Sequence, residues 1–163
     1  MQAILFQKSI WMKMVTDSRA KGARAETAVR DKLRELTGLN WERVPSSGAL
    51  DPKHGLKGDL YLPNEKNMYC VEVKHYKDTQ LDSSILTAKD PLLLTWMAQA
   101  IRQGEQVSKT PLLIFKHDRS PMFVAFNSMP TSNYRFFYIS AKGLEFYVSL
   151  LDDWYKAEQP KFI

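Results

Sequence analysis

The sequence predicts an α/β domain in which helices pack against a small mixed β-sheet. Stretches with apolar residues at helical spacing lie near the start, in the middle and at the end of the chain. Between them are short runs rich in β-branched and aromatic residues, bounded by turn-forming residues. A chain of 163 residues that is 44% hydrophobic is long enough to bury the core of one such domain.

The predicted elements are three helices with groups of strands between them. Helices are expected over residues 22–36, from a cap at Asp90 and Pro91 to about Val107, and near 141–157. Strands are expected over residues 41–45, 59–63, 68–76, 111–116 and 122–126. The second and third strands form a hairpin, and segment 46–57 is a predicted loop. We therefore divide the chain into an N-terminal lead-in, residues 1–18, and a single domain, residues 19–163.

The composition indicates which kind of partner and which cellular compartment to expect. Lysine and arginine number 23 against 18 acidic residues, so the net charge is +5, which suits a polyanionic partner such as nucleic acid. The single cysteine, Cys70, excludes an intramolecular disulfide framework and fits a reducing cytoplasm. Gln7, Lys8 and Lys13 interrupt the apolar first fifteen residues, so no membrane span is expected.

The strand over residues 69–76 carries an acid and an amine on one face. Side chains alternate along a strand, so Glu72 and Lys74 point the same way, about 7 Å apart. Counting back through a four-residue hairpin loop places Asp59 directly opposite Glu72. Two facing carboxylates repel each other, and a divalent cation such as Mg²⁺ would remove that repulsion. The alternative is an ordinary charge pair that faces water.

A third acid, Glu26, lies on the apolar stripe of the first helix. It shares that stripe with Val29, Leu33 and Leu36, so it points toward the core side, where a carboxylate is costly without a partner. The alternative is an acid in the first helical turn that the helix dipole favours.

The predicted loop, segment 46–57, combines hydroxyl, glycine and basic residues. Such composition is typical of an exposed loop, and it also suits a segment that follows a phosphate backbone. In the second case Lys53 and Lys57 contact the backbone and Ser47 lies near the ion.

Four short motifs occur together in a recognisable order. They are "KGARAE" at 21–26, "RVPSSG" at 43–48, "KGD" at 57–59 and "CVEVK" at 70–74. Over roughly residues 20–127 the chain resembles the PD-(D/E)xK nuclease superfamily, and most closely its archaeal-type Holliday junction resolvases, which also occur among viral proteins. One position departs from the pattern, because Gly58 precedes Asp59 where the superfamily's name expects proline.

The resemblance implies a restriction-endonuclease-like core and specific residue roles. Glu26, Asp59 and Glu72 would bind Mg²⁺, for which Mn²⁺ is expected to substitute, and Lys74 and Ser47 would assist catalysis. We add the carbonyl of Val73 as a metal ligand. The expected DNA contacts are Lys21, Arg24, Arg43, Lys53, Lys57 and Lys116.

The resemblance also implies a function. The expected protein is a homodimer that resolves four-way junctions in branched double-stranded DNA by paired symmetric nicks, in the cytoplasm, or in the host cytoplasm if the protein is viral. Two other readings stay open. One is a PD-(D/E)xK nuclease with another substrate, such as a restriction-like, repair or flap nuclease. The other is a non-catalytic DNA-binding protein on the same scaffold.

Overall fold

The computed structural model describes residues 2–45 and 56–163, with side chains from residue 20 onward. The helices are α1 Gln2–Thr37, α2 Ser84–Thr87, α3 Leu92–Gln106 and α4 Leu151–Glu158. The strands are β1 Glu42–Arg43, β2 Leu60–Tyr61, β3 Tyr69–Tyr76, β4 Thr110–His117, β5 Phe123–Phe126, β6 Phe137–Ala141 and β7 Leu144–Leu150. These elements confirm the predicted α/β class.

All seven of these strands join one mixed sheet. Their order is β1-β2-β3-β4-β5-β7-β6. β3 and β4 run parallel over eight residue pairs, with α3 as the crossover between them, and every other neighbouring pair is antiparallel. The parallel pair lies near the centre of the sheet, where both faces are covered.

Each face of the sheet packs against helices. One face packs against α1 and α4 through a cluster that includes Val29, Leu33, Ile114, Leu151 and Trp154. The opposite face packs against α3 through a cluster that includes Leu93, Met97, Leu113, Phe115 and Phe146. Since Val71 and Val73 belong to the first cluster, alternation along β3 directs Glu72 and Lys74 away from it. Glu72 and Lys74 therefore lie outside the cluster that packs against α1 and α4.

The predicted hairpin has the expected register. Leu60 pairs with Val71, the same register that places Asp59 beside Glu72. β2 itself is only two residues long, and the side chain of Asn67 extends the pairing. It accepts the amide of Leu62 at 2.6 Å and donates to the carbonyl of Leu62 at 2.8 Å. A side-chain amide thus replaces a strand residue at the closed end of the hairpin.

Two predicted elements differ in the structure. The first helix starts at Gln2 rather than near residue 22, and it is continuous past residue 18, where the lead-in was expected to end. The helix predicted near 141–157 is wrong over its first half. Residues up to Leu150 form the β6–β7 hairpin, and α4 begins only at Leu151. Lys142 and Gly143, both with positive φ, form the turn that makes this hairpin possible.

Among the helices in the described part of the chain, none has the length and apolar character needed to cross a membrane.

Candidate active site

Three hydrogen bonds hold Asp59, two of them with β3 and one with the residue that follows β1. Its amide donates to the carbonyl of Val71 at 2.7 Å, and its carbonyl accepts the amide of Val44 at 2.9 Å. Its carboxylate oxygen Oδ2 accepts the amide of Val73 at 2.7 Å. The backbone and the side chain are therefore fixed together, so the carboxylate keeps one position at the start of β2.

Gly58 makes this position of Asp59 possible. Its φ is +82°, and a Cβ there would lie 2.6 Å from the carbonyl oxygen of Val71 and 3.2 Å from Cys70 Sγ. Proline fixes φ near −65°, so it cannot adopt this backbone conformation. The departure from the superfamily pattern thus has a local physical reason, which is that the chain passes too close to β3 for a side chain.

Glu72 is a buried carboxyl beside Asp59. It is 3% exposed, and burial, followed by the nearby Asp59 carboxylate, raises its pKa to about 8. Lys74 acts in the opposite direction and lowers the pKa, which places its ammonium group near Glu72. At neutral pH, Glu72 of the metal-free protein therefore holds a proton to a large extent. Two of the predicted metal ligands are thus adjacent, as the hairpin register required.

Glu26 reaches the same group from α1. Burial and the Asp59 carboxylate raise its pKa, while Arg43 opposes that shift. Arg43 Nε donates to Glu26 Oε2 at 2.9 Å, and the Glu26 side chain is 22% exposed. Glu26 thus has a hydrogen-bonding partner at the end of the apolar stripe, and it lies close enough to Asp59 for their charges to interact.

The three carboxylates supply hard oxygen donors that fit a divalent cation. The Asp59 charge acts on both of the other acids. One Asp59 oxygen is bound to the amide of Val73, and one Glu26 oxygen is bound to Arg43. The described residues contain no group of three His, Cys, Asp or Glu side chains already spaced as a metal site. The Asp59 carboxylate instead interacts with Glu72 and with Glu26, and it raises the pKa of each. Because metal ligands must be deprotonated, a bound cation would require Glu72 to lose its proton, and both glutamates would turn an oxygen toward the ion.

Cys70 shares a face with Glu72 and has a different environment from a reactive thiol. Burial and the neighbouring Glu72 carboxyl raise the pKa of Cys70 to about 11. A thiol with so high a pKa stays protonated and unreactive. Cys70 therefore takes no part in the chemistry, and its sulfur packs against Gly58.

The residues predicted to contact DNA lie in different environments. Arg24 is exposed on α1, and Lys57 is half-buried and close enough to Cys70 to lower the thiol's pKa. Arg43 is bound to Glu26. Ser47 and Lys53 lie outside the described residues.

Lys21 and Lys116 lie near an acid that sequence analysis did not single out. Lys21 Nζ is 3.8 Å from Asp118 Oδ1, and the Lys116 charge also acts on this carboxylate. His75 Nε2 is 2.7 Å from the same Asp118 oxygen. Asp118 follows the end of β4, and its sequence context of an exposed turn gives no signal that it would meet a residue of β3.

This arrangement of side chains is that of the PD-(D/E)xK nucleases. An aspartate of a hairpin lies opposite a glutamate of the next strand, a lysine follows that glutamate by two residues, and a second glutamate comes from a helix. The chain belongs to a phage family of that class. Residues 17–159 match the family described as "Phage putative PDDEXK endonuclease".

This chain is also similar to individual proteins, of which one curated relative and one solved structure follow. Protein D14 of Escherichia phage T5 is 42% identical over 149 residues, which span 86% of this chain and 93% of the phage protein. Among solved structures, Archaeoglobus fulgidus Hjc, a Holliday junction resolvase, aligns with a TM-score of 0.41 and 12% identity. That alignment covers 84% of this chain and 89% of the archaeal one.

Proposed function

We propose that this endonuclease is metal-dependent and structure-selective, and that it resolves four-way DNA junctions by paired symmetric nicks. The observation that carries the nuclease chemistry is the interaction of the Asp59 carboxylate with both Glu26 and Glu72, with Lys74 close to Glu72. Junction selectivity rests on the four sequence motifs that resemble those of archaeal-type Holliday junction resolvases.

Glu26, Asp59 and Glu72, with the carbonyl of Val73, are the proposed ligands of Mg²⁺. When bound, Mg²⁺ would lower the pKa of a coordinated water and offset negative charge on the phosphate that is cut. The Val73 amide holds Asp59, and Arg43 holds Glu26, so two of the three acids have fixed positions. We expect Mn²⁺ to substitute, because it accepts the same oxygen ligands.

Lys74 is the proposed residue that acts on the reacting atoms. Its ammonium group lies near Glu72 and is only partly buried, so it can reach a phosphate placed against the acids. A fixed positive charge there orients the attacking water and stabilises the additional negative charge of the transition state. Ser47 is a second proposed catalytic group.

DNA binding is assigned to the basic residues that surround these acids. Lysine and arginine contacts to phosphates give affinity and position without reading sequence. The proposed contacts are Lys21, Arg24, Lys53, Lys57 and Lys116. Arg43, which the sequence also predicted as a contact, is bound to Glu26, and we propose that it holds that acid instead. Cleavage of DNA would take place in the cytoplasm of an infected host.

Junction resolution needs two cuts, one in each of two opposing strands. The described residues contain one group of three interacting acids, so we propose that the working enzyme is a homodimer with one site from each copy. We also propose that residues 19–163 form the nuclease domain and residues 1–18 an N-terminal lead-in. Mass measurement in solution, with and without junction DNA, tests the dimer.

The substrate is tested with a panel of DNA structures at one stated salt concentration, because electrostatic binding depends on salt. The panel contains an immobile four-way junction, a flap, a nicked duplex and a linear duplex. We expect the junction alone to receive paired nicks at symmetric positions on opposing strands. Preferred cutting of another member would instead assign the protein to a restriction-like, repair or flap nuclease. Binding without metal-dependent cleavage of any member would leave a DNA-binding protein on a nuclease scaffold.

A further inference from the structure

Asp118 lies in a tight turn at the end of β4 that fixes its backbone. His117 and Ser120 close the turn, since the amide of His117 donates to Ser120 Oγ at 3.0 Å and the amide of Ser120 donates to the carbonyl of His117 at 3.1 Å. Arg119 has a φ of +65° at the corner. The Asp118 amide also donates to the carbonyl of Lys77 at 3.3 Å, so the turn is joined to the chain that follows β3.

The Asp118 carboxylate contacts two other elements from this turn. Oδ1 lies 2.7 Å from His75 Nε2 on β3 and 3.8 Å from Lys21 Nζ on α1. A carboxylate can only accept a hydrogen bond, so His75 carries its proton on Nε2, and Nδ1 is left as an acceptor if the ring is neutral. One side chain thus links α1, β3 and the end of β4.

The two contacted residues stand beside the candidate active site in the sequence. His75 directly follows Lys74, and Lys21 precedes Glu26 by five residues on the same helix. We propose that Asp118 is a positioning residue, which keeps the end of β3 and the middle of α1 in register so that Lys74 and Glu26 face the same phosphate. This inference rests on the proposed nuclease function and concerns residues outside its metal ligands.

A positioning role and an electrostatic role predict different results for Asp118→Ala. Removing a negative charge from a basic surface tightens DNA binding or leaves it unchanged. Loss of positioning slows cleavage at saturating DNA, by about three- to tenfold, because a small misplacement of catalytic groups is costly. Asp118→Glu should recover part of the rate, since a longer carboxylate can still accept from His75. Asp78→Ala is the matched control, because Asp78 is also an exposed acid and lies just past β3.

Hydrogen exchange gives a readout that does not depend on cleavage. We expect Asp118→Ala to speed amide exchange in segments 20–27 and 72–77 and to leave segment 137–150 unchanged, whereas Asp78→Ala changes neither of the first two. Unchanged exchange in those two segments would overturn the proposal. Faster exchange with a full cleavage rate at saturating DNA would overturn it as well. If the wild-type protein cuts no DNA, the proposed function fails, and exchange alone decides whether Asp118 joins α1 to β3.

Discussion

The amide of Val73 donates a 2.7 Å hydrogen bond to the carboxylate of Asp59, across the hairpin that brings the two strands together. Val73 lies between Glu72 and Lys74, so the residue that fixes the aspartate also separates the other two groups of the motif. A shift of one residue in the register would turn Glu72 and Lys74 to the opposite face of the sheet. The hydrogen bond therefore ties the geometry of the candidate site to the fold itself.

Gly58→Ala should destabilise the protein and slow cleavage. A Cβ at this position would lie 2.6 Å from the carbonyl oxygen of Val71, and the φ of +82° is strained for alanine, so we expect a loss of about 1–3 kcal/mol in the free energy of unfolding. Gly22→Ala is the control, because Gly22 is exposed on α1 with open space around it. Gly22→Ala should raise the free energy of unfolding by about 0.5–1 kcal/mol. Denaturant unfolding measures both changes, and a Gly58→Ala protein as stable as wild type would contradict the account.

Arg43→Gln should slow cleavage at saturating DNA by about 10- to 100-fold, the usual cost of losing the group that orients a metal ligand. Arg43 Nε is bound to Glu26, so its loss frees that carboxylate. The salt dependence of DNA binding should change little. Arg24→Gln, at an exposed site on α1, should instead lower the salt slope by about one and keep the saturated rate. A lowered slope for Arg43→Gln would support its role as a phosphate contact.

Lys74→Ala should reduce cleavage by about 10²-fold or more while DNA binding changes little, because the lost charge acts mainly in the transition state. Since Lys74 lowers the pKa of Glu72, its removal should also raise that pKa further. Lys77→Ala, at an exposed position three residues after Lys74, is the control and should cut at nearly the wild-type rate. Single-turnover cleavage and equilibrium binding on the same DNA separate the two effects. Equal losses in both variants would argue against a specific role for Lys74.

The stability of the metal-free protein should fall as pH rises from about 4.5 to about 8. The folded state raises the pKa of Glu72 to about 8 from its ordinary value of 4.5, and it raises the pKa of Glu26 as well. Between those pH values the folded protein binds more protons than the unfolded chain, so the free energy of unfolding decreases with pH. One pKa unit corresponds to about 1.4 kcal/mol, so the total fall is on the order of a few kcal/mol.

Two comparisons test which groups cause this fall in stability with pH. Glu72→Gln should flatten most of it, because an amide does not titrate in this range. Millimolar Mg²⁺ should restore stability mainly at the higher pH, where the carboxylates no longer hold protons. Unfolding curves at pH 5 and pH 8 for both proteins give the result. A slope that is equally steep in Glu72→Gln would assign the pH dependence to other groups.

The sequence predicted the centre of the fold better than its ends. The hairpin register followed from loop length and strand alternation, both of which are local, and it correctly placed Asp59 beside Glu72. The residues that hold the acids could not be inferred in the same way. Arg43 reaches Glu26 across 17 residues, and Asp118 reaches His75 across 43, so both contacts depend on how separate elements pack.

The C-terminal hairpin shows why local spacing can mislead. Leu144, Val148 and Leu151 fit a helical stripe, yet Phe146 and Val148 are buried at an interval of two, as in a strand. The turn at Lys142 and Gly143 decides between them, because two successive positive φ angles favour a tight hairpin. Pairing with β5 then secures β7 inside the sheet, which no local pattern reveals.

The most direct measurement is Mg²⁺-dependent cleavage of a synthetic immobile four-way junction by wild-type protein and by Asp59→Asn and Glu72→Gln. Losing a metal ligand removes several kcal/mol of transition-state stabilisation, so each variant should cut at least about 10²-fold more slowly. Each should still bind the junction, because phosphate contacts supply the affinity. We expect metal-dependent nicking by the wild type alone. Nicking at the wild-type rate by either variant, or by wild type in the presence of a chelator, would contradict it.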